Sequence, residues 1–188
     1  MKKIQLGKRV RVSDPCYGTG VWCSGVVDNV KEGTYNVDVE ISDETMWGKR
    51  VKSLTAIHSE YNSHSIIERA PFEVGVDSGT AGIFDADYYE KYHTKDDVDE
   101  EWYESVGELT FTEEQFGTKD DKCVVSSSGY GDGGYDCFLL RDKNNEVVGF
   151  QIVFIEDEEE DEDYDDYEDE EEDEYFDFEE EETEDDDI

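Results

Sequence analysis

The sequence predicts a mainly β protein, in which an antiparallel sheet forms a partly open barrel or sandwich with one or two short helices and a disordered acidic C-terminal tail. Short segments alternate apolar and polar residues with the period of two that is typical of half-buried strands. Turns rich in Gly, Asn and Asp separate these segments at short intervals. Of the 33 positions from 156 to 188, 26 are Asp or Glu and none is Lys, Arg or His.

The clearest strand signal lies at residues 34–41. Tyr35, Val37, Val39 and Ile41 fall on one face of this segment, and its other face is polar. That alternation predicts a strand with one buried face. Similar apolar segments bounded by turn residues predict further strands at 8–13, 22–30, 50–57, 72–77, 122–127, 135–141 and 146–155.

Two pairs of these strands have connections of hairpin length. Residues 31–33 join the strand at 22–30 to the strand at 34–41. Residues 142–145 join the last two strands, and the two Asn in this segment tolerate the left-handed conformation of a tight turn. We therefore expect two hairpins.

Helical signals are few. Residues 85–93 predict one helix, with Asp85 as its N-cap. A short turn is predicted at 112–116, where Thr112 is placed to cap and two Glu follow it. The polar segment 95–101 is predicted to be a loop.

The charge distribution divides the chain into a β-rich globular domain at 1–155 and an acidic tail at 156–188. The formal net charge is −39, but 1–155 carries 29 acidic and 16 basic residues, a net charge of −13. The tail has too few apolar residues to offset the entropy of ordering, so we predict that it is disordered. A field of this sign attracts basic protein surfaces and disfavours direct binding to nucleic acid or to a membrane.

The N-terminal residues resemble no signal peptide, and no segment approaches the roughly 18 apolar residues of a membrane-spanning helix. We therefore expect a soluble cytoplasmic protein with reduced cysteines. The sequence contains no phosphate-binding loop and no dinucleotide fingerprint, so we expect no cofactor.

Three segments combine Gly, Asp and aromatic residues, at 14–18, 75–82 and 129–136. One interpretation is that they are tight turns whose Asp side chains accept local amide hydrogen bonds. The alternative is that their carboxylates converge as an acid–base or divalent-cation site, because hard cations prefer clustered oxygen ligands. The candidate catalytic residues of this alternative are Asp14, Asp77, Asp132 and Asp136.

The same three segments carry a resemblance to a known family. The order Asp-Pro-Cys-Tyr at 14–17, Gly-Val-Asp-Ser-Gly at 75–79 and Tyr-Gly-Asp-Gly-Gly-Tyr at 130–135 resembles a family of uncharacterised proteins from bacteria and tailed bacteriophages. The resemblance covers about residues 10–155. It implies a bacterial or phage setting and no established activity, and its pattern does not include the acidic tail.

The cysteines show no closely spaced pair of the kind that zinc sites use. Cys123 and Cys137 are symmetric about Tyr130, so they would lie opposite each other if the strands beside the glycine-rich loop paired directly. We interpret the cysteines as small core residues, with a four-cysteine zinc site that includes Cys16 and Cys23 as the alternative.

The histidines are scattered in polar segments and are predicted to be exposed loop residues rather than catalytic groups: His58, His64 and His93. No local pattern supports a nucleophile–base pair such as Cys16 with one of them.

The acidic tail suggests the most concrete function. A flexible chain of carboxylates with spaced aromatic rings offers what a nucleic acid single strand offers to a basic groove, namely negative charge and flat faces. The terminal Asp185, Asp186 and Asp187, followed by Ile188, also resemble the tips of bacterial single-stranded-DNA-binding proteins, which end in acids and a hydrophobic pair. Only Ile188 of that pair is present in this sequence. The sequence therefore predicts a protein that occupies a basic surface of a partner, of the nucleic-acid-mimic or inhibitor type, with a nucleic-acid-processing enzyme as the candidate partner. The predicted binding residues are Tyr164, Tyr167, Tyr175, Phe176, Phe178, Asp185, Asp186, Asp187 and Ile188.

Two alternatives to this reading of the tail stay open. In the first alternative, the tail only solubilises the domain or shields it. In the second alternative, the tail binds the N-terminal basic cluster of its own domain, which consists of Lys2, Lys3, Lys8, Arg9 and Arg11. The alternative function for the whole chain is a hydrolase or metal-dependent enzyme that uses the Asp residues of the glycine-rich segments.

Overall fold

The computed structural model describes residues 2–42, 46, 48–61 and 66–156, and it confirms the mainly β prediction. Within these residues, eleven strands form two antiparallel sheets, and neither sheet closes into a barrel. The strands are β1 (Lys2–Leu6), β2 (Val10–Ser13), β3 (Gly25–Val27), β4 (Gly33–Ile41), β5 (Val51–His58), β6 (Ile66–Val76), β7 (Thr80–Asp85), β8 (Phe116–Lys119), β9 (Cys123–Ser127), β10 (Gly133–Arg141) and β11 (Val147–Val153).

The two sheets have different strand orders. The six-stranded sheet runs β1-β4-β5-β11-β10-β6, and the five-stranded sheet runs β3-β2-β7-β9-β8. One core cluster contains residues of both sheets, such as Tyr35 and Leu54 from the first and Val12 and Ile83 from the second. The sheets therefore pack face to face as a sandwich.

The predicted face of β4 is confirmed. Tyr35 and Val37 are buried, and Val39 and Ile41 pack against the same core from partly buried positions. The predicted hairpin of the last two strands is also confirmed, because β10 and β11 pair directly through a turn at 142–146. Asn145 takes the expected left-handed conformation there, with φ of 63°.

The other predicted hairpin is wrong. β3 pairs with β2 in the five-stranded sheet, whereas β4 pairs with β1 and β5 in the six-stranded sheet. The short connection at 28–32 therefore crosses between sheets. Sequence adjacency favoured a hairpin, but the apolar faces of the two strands belong to opposite walls of the core.

Three strands were not predicted from the sequence: β1, β7 and β8. All six residues of β7 are buried, because the strand lies in the middle of its sheet with the core on one face and the helices on the other. A strand that is buried on both faces does not alternate, so the period of two is absent.

Two short helices cover the outer face of the five-stranded sheet, α1 (Ala86–Tyr89) and α2 (Glu100–Gly107), and a 3-10 turn follows at Glu108–Thr110. Asp85 caps α1 as predicted, with its side chain accepting from the amide of Tyr88. The helix is shorter than the predicted segment 85–93. The prediction of a loop at 95–101 is wrong at its end, because α2 begins at Glu100 after the N-cap Asp99.

The helices cover a second, aromatic core cluster. Phe84 of β7 and Trp102 of α2 lie at its centre, with ring centroids 6.0 Å apart. Cys123 belongs to this cluster, whereas Cys137 belongs to the core between the sheets. The two thiols therefore do not face each other, because β9 and β10 lie in different sheets. Both are buried, as expected of small core residues.

The prediction that the histidines are exposed is wrong for His58 and His93, which are each only 4% exposed. His58 ends β5 and contacts the ring of Tyr35 edge-on, with centroids 5.2 Å apart. His64 lies outside the described residues, as does the predicted tail from residue 157 onward.

Among the described residues, no helix reaches the length and apolar character that a membrane-spanning helix requires.

Candidate functional site

The three Gly-Asp segments predicted from the sequence meet at one turn, residues 77–79 between β6 and β7, which we call the central turn. The carboxylate of Asp14 accepts hydrogen bonds from the amides of Asp77 (2.9 Å) and Ser78 (2.8 Å). The carboxylate of Asp132 accepts one from the amide of Gly79 at 3.1 Å. Two carboxylates that are remote in sequence therefore hold successive amides of the same turn.

Asp14 is fully buried and all its hydrogen bonds are internal. Besides the two amides of the central turn, it accepts from the amide of Cys16 and from the hydroxyl of Ser78, each at 2.7 Å. Four donors converge on this one carboxylate. Because ionised carboxylates accept but do not donate, this arrangement suits a charged Asp14 whose role is to fasten the two turns together.

The other three candidate carboxylates have different surroundings. Asp77 and Asp132 are exposed at the surface of the central turn. Asp136 lies on β10 and forms an ion pair with Arg69 of the neighbouring β6. The structure therefore brings Asp14, Asp77 and Asp132 together and engages Asp136 in a separate cross-strand pair.

Segment 14–17 also accepts hydrogen bonds from residues of α1 and of the turn that follows it. The hydroxyl of Tyr89 donates to the carbonyl of Tyr17 at 2.7 Å. The ring nitrogens of His93 lie 3.0 Å from the carbonyl of Pro15 and 2.9 Å from that of Tyr89. Burial lowers the pKa of His93, and the two carbonyls oppose this shift.

Arg11 is buried beside Tyr89 and forms hydrogen bonds with loop 17–24. Its guanidinium lies 5.3 Å from the ring centroid of Tyr89 and donates to the hydroxyl of Ser24 (2.8 Å) and the carbonyl of Thr19 (3.3 Å). Burial lowers the pKa of Arg11. The group therefore orders the loop through neutral acceptors and an aromatic face.

An open cavity of about 540 Å³ lies beside the central turn, between loop 17–24, the end of β6 and the start of β10. We call it the turn-side cavity. Tyr17, Trp22, Glu73 and Asp77 line it together with backbone from several glycines. Burial raises the pKa of the Tyr17 hydroxyl, and the nearby Asp77 carboxylate and Cys23 thiol add to this shift.

Cys16 is a poor candidate for a nucleophile. Burial raises the pKa of its thiol, and the hydrogen-bonded, negatively charged Asp14 raises it further. The reactive form of cysteine is the thiolate, which a raised pKa disfavours. Within the described ranges, no group of three or more His, Cys, Asp or Glu side chains is arranged to hold a metal ion.

Among the residues that line the turn-side cavity, sequence reasoning missed Trp22 and Glu73. Trp22 was assigned to the predicted strand 22–30, but the strand begins only at Gly25 and the indole is 86% exposed. The signal that was available is the sequence around it, because Gly18, Gly20 and Gly25 surround a tryptophan in a segment too rich in glycine for a regular strand.

Comparison with known proteins gives a family and no activity. Residues 9–152 match the family described as "Protein of unknown function (DUF4241)", and this range contains all three Gly-Asp segments. A search of curated proteins gave no match. A search of solved structures gave none either. Since the match covers most of the chain, this protein belongs to the DUF4241 family of proteins of unknown function.

Proposed function

We propose that this protein is a binding protein whose acidic tail, residues 156–188, occupies a basic surface of a partner protein. The observation that carries the proposal is the segregation of charge: 26 acidic residues and no basic residue in 33 positions, interleaved with five Tyr and Phe. Such a segment offers a cationic groove both charge neutralisation and ring stacking. A nucleic-acid-processing protein, which binds single strands with the same two features, is the partner class that fits.

The contacts of the N-terminal basic cluster favour binding of the tail to a partner protein over binding of the tail to this cluster. Lys2 forms an ion pair with Glu114 at 2.6 Å, and Arg9 forms one with Glu90 at 2.9 Å. Arg11 is 6% exposed. Three of the five cationic groups of the cluster are thus engaged or covered by the folded domain, which leaves less charge there for the tail to neutralise.

The mechanism follows from this charge. The tail would enter the groove in place of a nucleic acid strand, and its aromatic rings would stack where bases stack. Because the attraction is between exposed charges, added salt screens it, and the affinity is expected to fall steeply as ionic strength rises.

The test uses three full-length forms of the protein. The first is the natural chain, the second carries Asn or Gln at all 26 acidic tail positions, and the third carries Ser at Tyr164, Tyr167, Tyr175, Phe176 and Phe178. Each is used to capture proteins from a bacterial lysate at low and at moderate salt. A purified partner is then tested for release of a fluorescently labelled single-stranded oligonucleotide.

We expect the natural chain to release the oligonucleotide and the neutral-tail form to fail. The form without tail aromatics is expected to be at least about tenfold weaker, because each stacked ring contributes on the order of 1–3 kcal/mol. Capture and release by the neutral-tail form equal to those of the natural chain, or release that salt does not affect, would contradict the proposal.

One observation favours a second candidate function, a hydrolytic or metal-dependent reaction. The three Gly-Asp segments meet at the edge of an open cavity, and Asp77 is exposed there. A screen of chromogenic ester, phosphate and glycoside substrates, with and without divalent cations, tests this function. Turnover by the natural chain that is lost in both Asp77→Asn and Asp132→Asn would support it, and the absence of turnover, or its persistence in these variants, would count against it.

A further inference from the structure

The turn-side cavity is a feature that the acidic tail does not explain. Its walls are formed by loop 17–24, the end of β6 and the start of β10, so it belongs entirely to the folded domain. Its lining combines the aromatic residues Tyr17 and Trp22 with the acidic residues Glu73 and Asp77. These two kinds of side chain determine which ligand the cavity accepts.

Trp22 is exposed although its loop is firmly attached. The amide of Gly20 donates to the carbonyl of Lys95 at 3.0 Å, and the carbonyl of Cys23 accepts from the amide of Gly75 at 2.8 Å. The indole between these anchors is nevertheless 86% exposed. Because a large apolar side chain is stabilised by burial, an indole that is exposed to water in a cavity lining offers a stacking surface to a ligand.

The described residues that line the cavity include two carboxylates and no cationic side chain. Glu73 lies directly over Gly134, where a Cβ would collide with its carboxylate, so the glycine makes room for this group. The nearby Arg69 is already paired with Asp136. Within the described part of the chain, Glu73 and Asp77 therefore have no cationic partner in the cavity lining itself.

We propose that the turn-side cavity binds the guanidinium group of an arginine side chain, presented by a basic segment of a partner protein. A guanidinium is planar, stacks on an indole face and donates two parallel hydrogen bonds to a carboxylate. The cavity offers both partners, Trp22 for stacking and Glu73 or Asp77 for hydrogen bonding. A neutral ligand would leave the two carboxylates without a counter-charge.

The shape of the surface favours a peptide segment over a single amino acid. A second depression of about 390 Å³ shares Glu73 and Gly134 with the turn-side cavity and continues along β6 and β10. It is lined partly by Tyr135 and Phe154. A chain that places its arginine in the turn-side cavity therefore has a continuous path for its neighbouring residues.

The experiment is an NMR titration of the isotope-labelled full-length protein with the blocked tripeptide Gly-Arg-Gly. Matched tripeptides carry citrulline, which has the same shape without the charge, or lysine. The indole resonance of Trp22 and the amide resonances of Gly75 and Gly133 report on the cavity. The titration is repeated with the neutral-tail form, so that binding to the cavity is separated from non-specific binding to the tail.

We expect saturable shifts at the cavity with the arginine peptide and about tenfold weaker binding of the citrulline peptide, the ratio that one charged hydrogen bond provides. Trp22→Ala and the double change of Glu73→Gln with Asp77→Asn should each weaken arginine binding by about tenfold. All three residues are exposed or line the open cavity, and an otherwise unchanged spectrum verifies that the variants fold. The neutral tail should leave the cavity response intact.

Any of three results would overturn the inference: equal binding of the citrulline peptide, no effect of the cavity variants, or no response at the cavity resonances. Arginine amide that binds as tightly as the tripeptide would overturn the part that concerns a peptide segment. The inference is independent of the proposed function. A cavity that binds arginine normally in the neutral-tail form, while capture of the partner fails, would separate the two.

Discussion

The two sides of the central turn use the same side-chain chemistry for different ends. On the buried side, Asp14 has no exposed surface and accepts four hydrogen bonds from Cys16, Asp77 and Ser78. On the open side, Glu73 and Asp77 line a cavity whose described lining includes no Lys, Arg or His. Burial is what separates the two roles, because a carboxylate removed from water must have its oxygens satisfied within the fold.

This difference corrects a common inference from sequence. An aspartate in a glycine-rich turn is as well suited to fastening backbone amides as to catalysis or recognition. Asp14 does the first, and the neighbouring acids of the open side remain available to solvent and to ligands. A functional carboxylate in this protein is therefore sought among those that the turn leaves unbound.

The largest effect on stability is expected from Asp14→Asn. An amide nitrogen would face donors that now point at a carboxylate oxygen, and we expect the free energy of unfolding to fall by about 3–5 kcal/mol. The measurement is chemical denaturation followed by far-UV circular dichroism. The matched control is Asp132→Asn, which is exposed, accepts a single amide and should lose less than about 1 kcal/mol. Equal losses would show that burial is not what distinguishes the two.

A smaller effect is expected from Ser78→Ala. This change removes one hydroxyl that donates to Asp14 at 2.7 Å and keeps the amides of the turn. We expect a loss of about 1.5–2 kcal/mol in the free energy of unfolding, because the acceptor is charged. Ser127→Ala is the control, since its hydroxyl donates to the neutral side chain of Gln115 at 2.9 Å. The control should lose about 1 kcal/mol or less, and the reverse order would indicate that Asp14 is not charged.

The free energy of unfolding is also expected to depend on pH through His93, which lies on the buried side of the central turn. Burial lowers the pKa of this ring in the folded protein, whereas the unfolded chain keeps the ordinary value of about 6.5. As the pH falls below that value, the unfolded chain takes up the proton first, so the stability contributed by the neutral ring is present above about pH 6.5 and is lost below it.

The measurement is the difference in free energy of unfolding between the natural chain and His93→Gln. We expect the advantage of the natural chain to shrink by about 1 kcal/mol between pH 7.5 and 5.5. Taking this difference cancels the effect of the many surface acids, which titrate in both proteins. An advantage that grows at low pH would mean that the carbonyls of Pro15 and Tyr89 hold a protonated ring instead.

The smallest effect on stability is expected on the open side. Trp22→Ala removes a side chain that is 86% exposed, so the free energy of unfolding should change by less than about 0.5 kcal/mol. The same denaturation series measures it. A loss as large as that of Ser78→Ala would show that the indole supports the loop, and the distinction between the two sides of the turn would then disappear.

Much of the fold was predictable from the sequence because several strands have one buried face and one solvent-exposed face. Residues 34–41 alternate and form β4 on the predicted face, and the turn at 142–146 has the Asn that its backbone requires. β7 was missed because both of its faces are covered. The partition into two sheets was missed because a pattern of single strands contains no information on which strands pair.

The candidate site was predictable in its parts and not in its arrangement. The glycine and aspartate content of the three segments indicated special turns, and the structure joins them through Asp14 and Asp132. Which carboxylate would be buried depends on the packing of Tyr89 and His93 beneath segment 14–17, two residues that are over 70 positions away. No local pattern reports such contacts.

The fastening of the central turn by Asp14 has a consequence for the order of folding. Its hydrogen bonds join residues separated by 63 and 64 positions, so the intervening chain must be closed into a large loop before they form. Contacts of such range are gained late and slowly, as in other sandwich topologies. We therefore expect the turn-side cavity, which lies beside the same turn, to form only after these distant residues have met, so that a ligand in it recognises the folded chain.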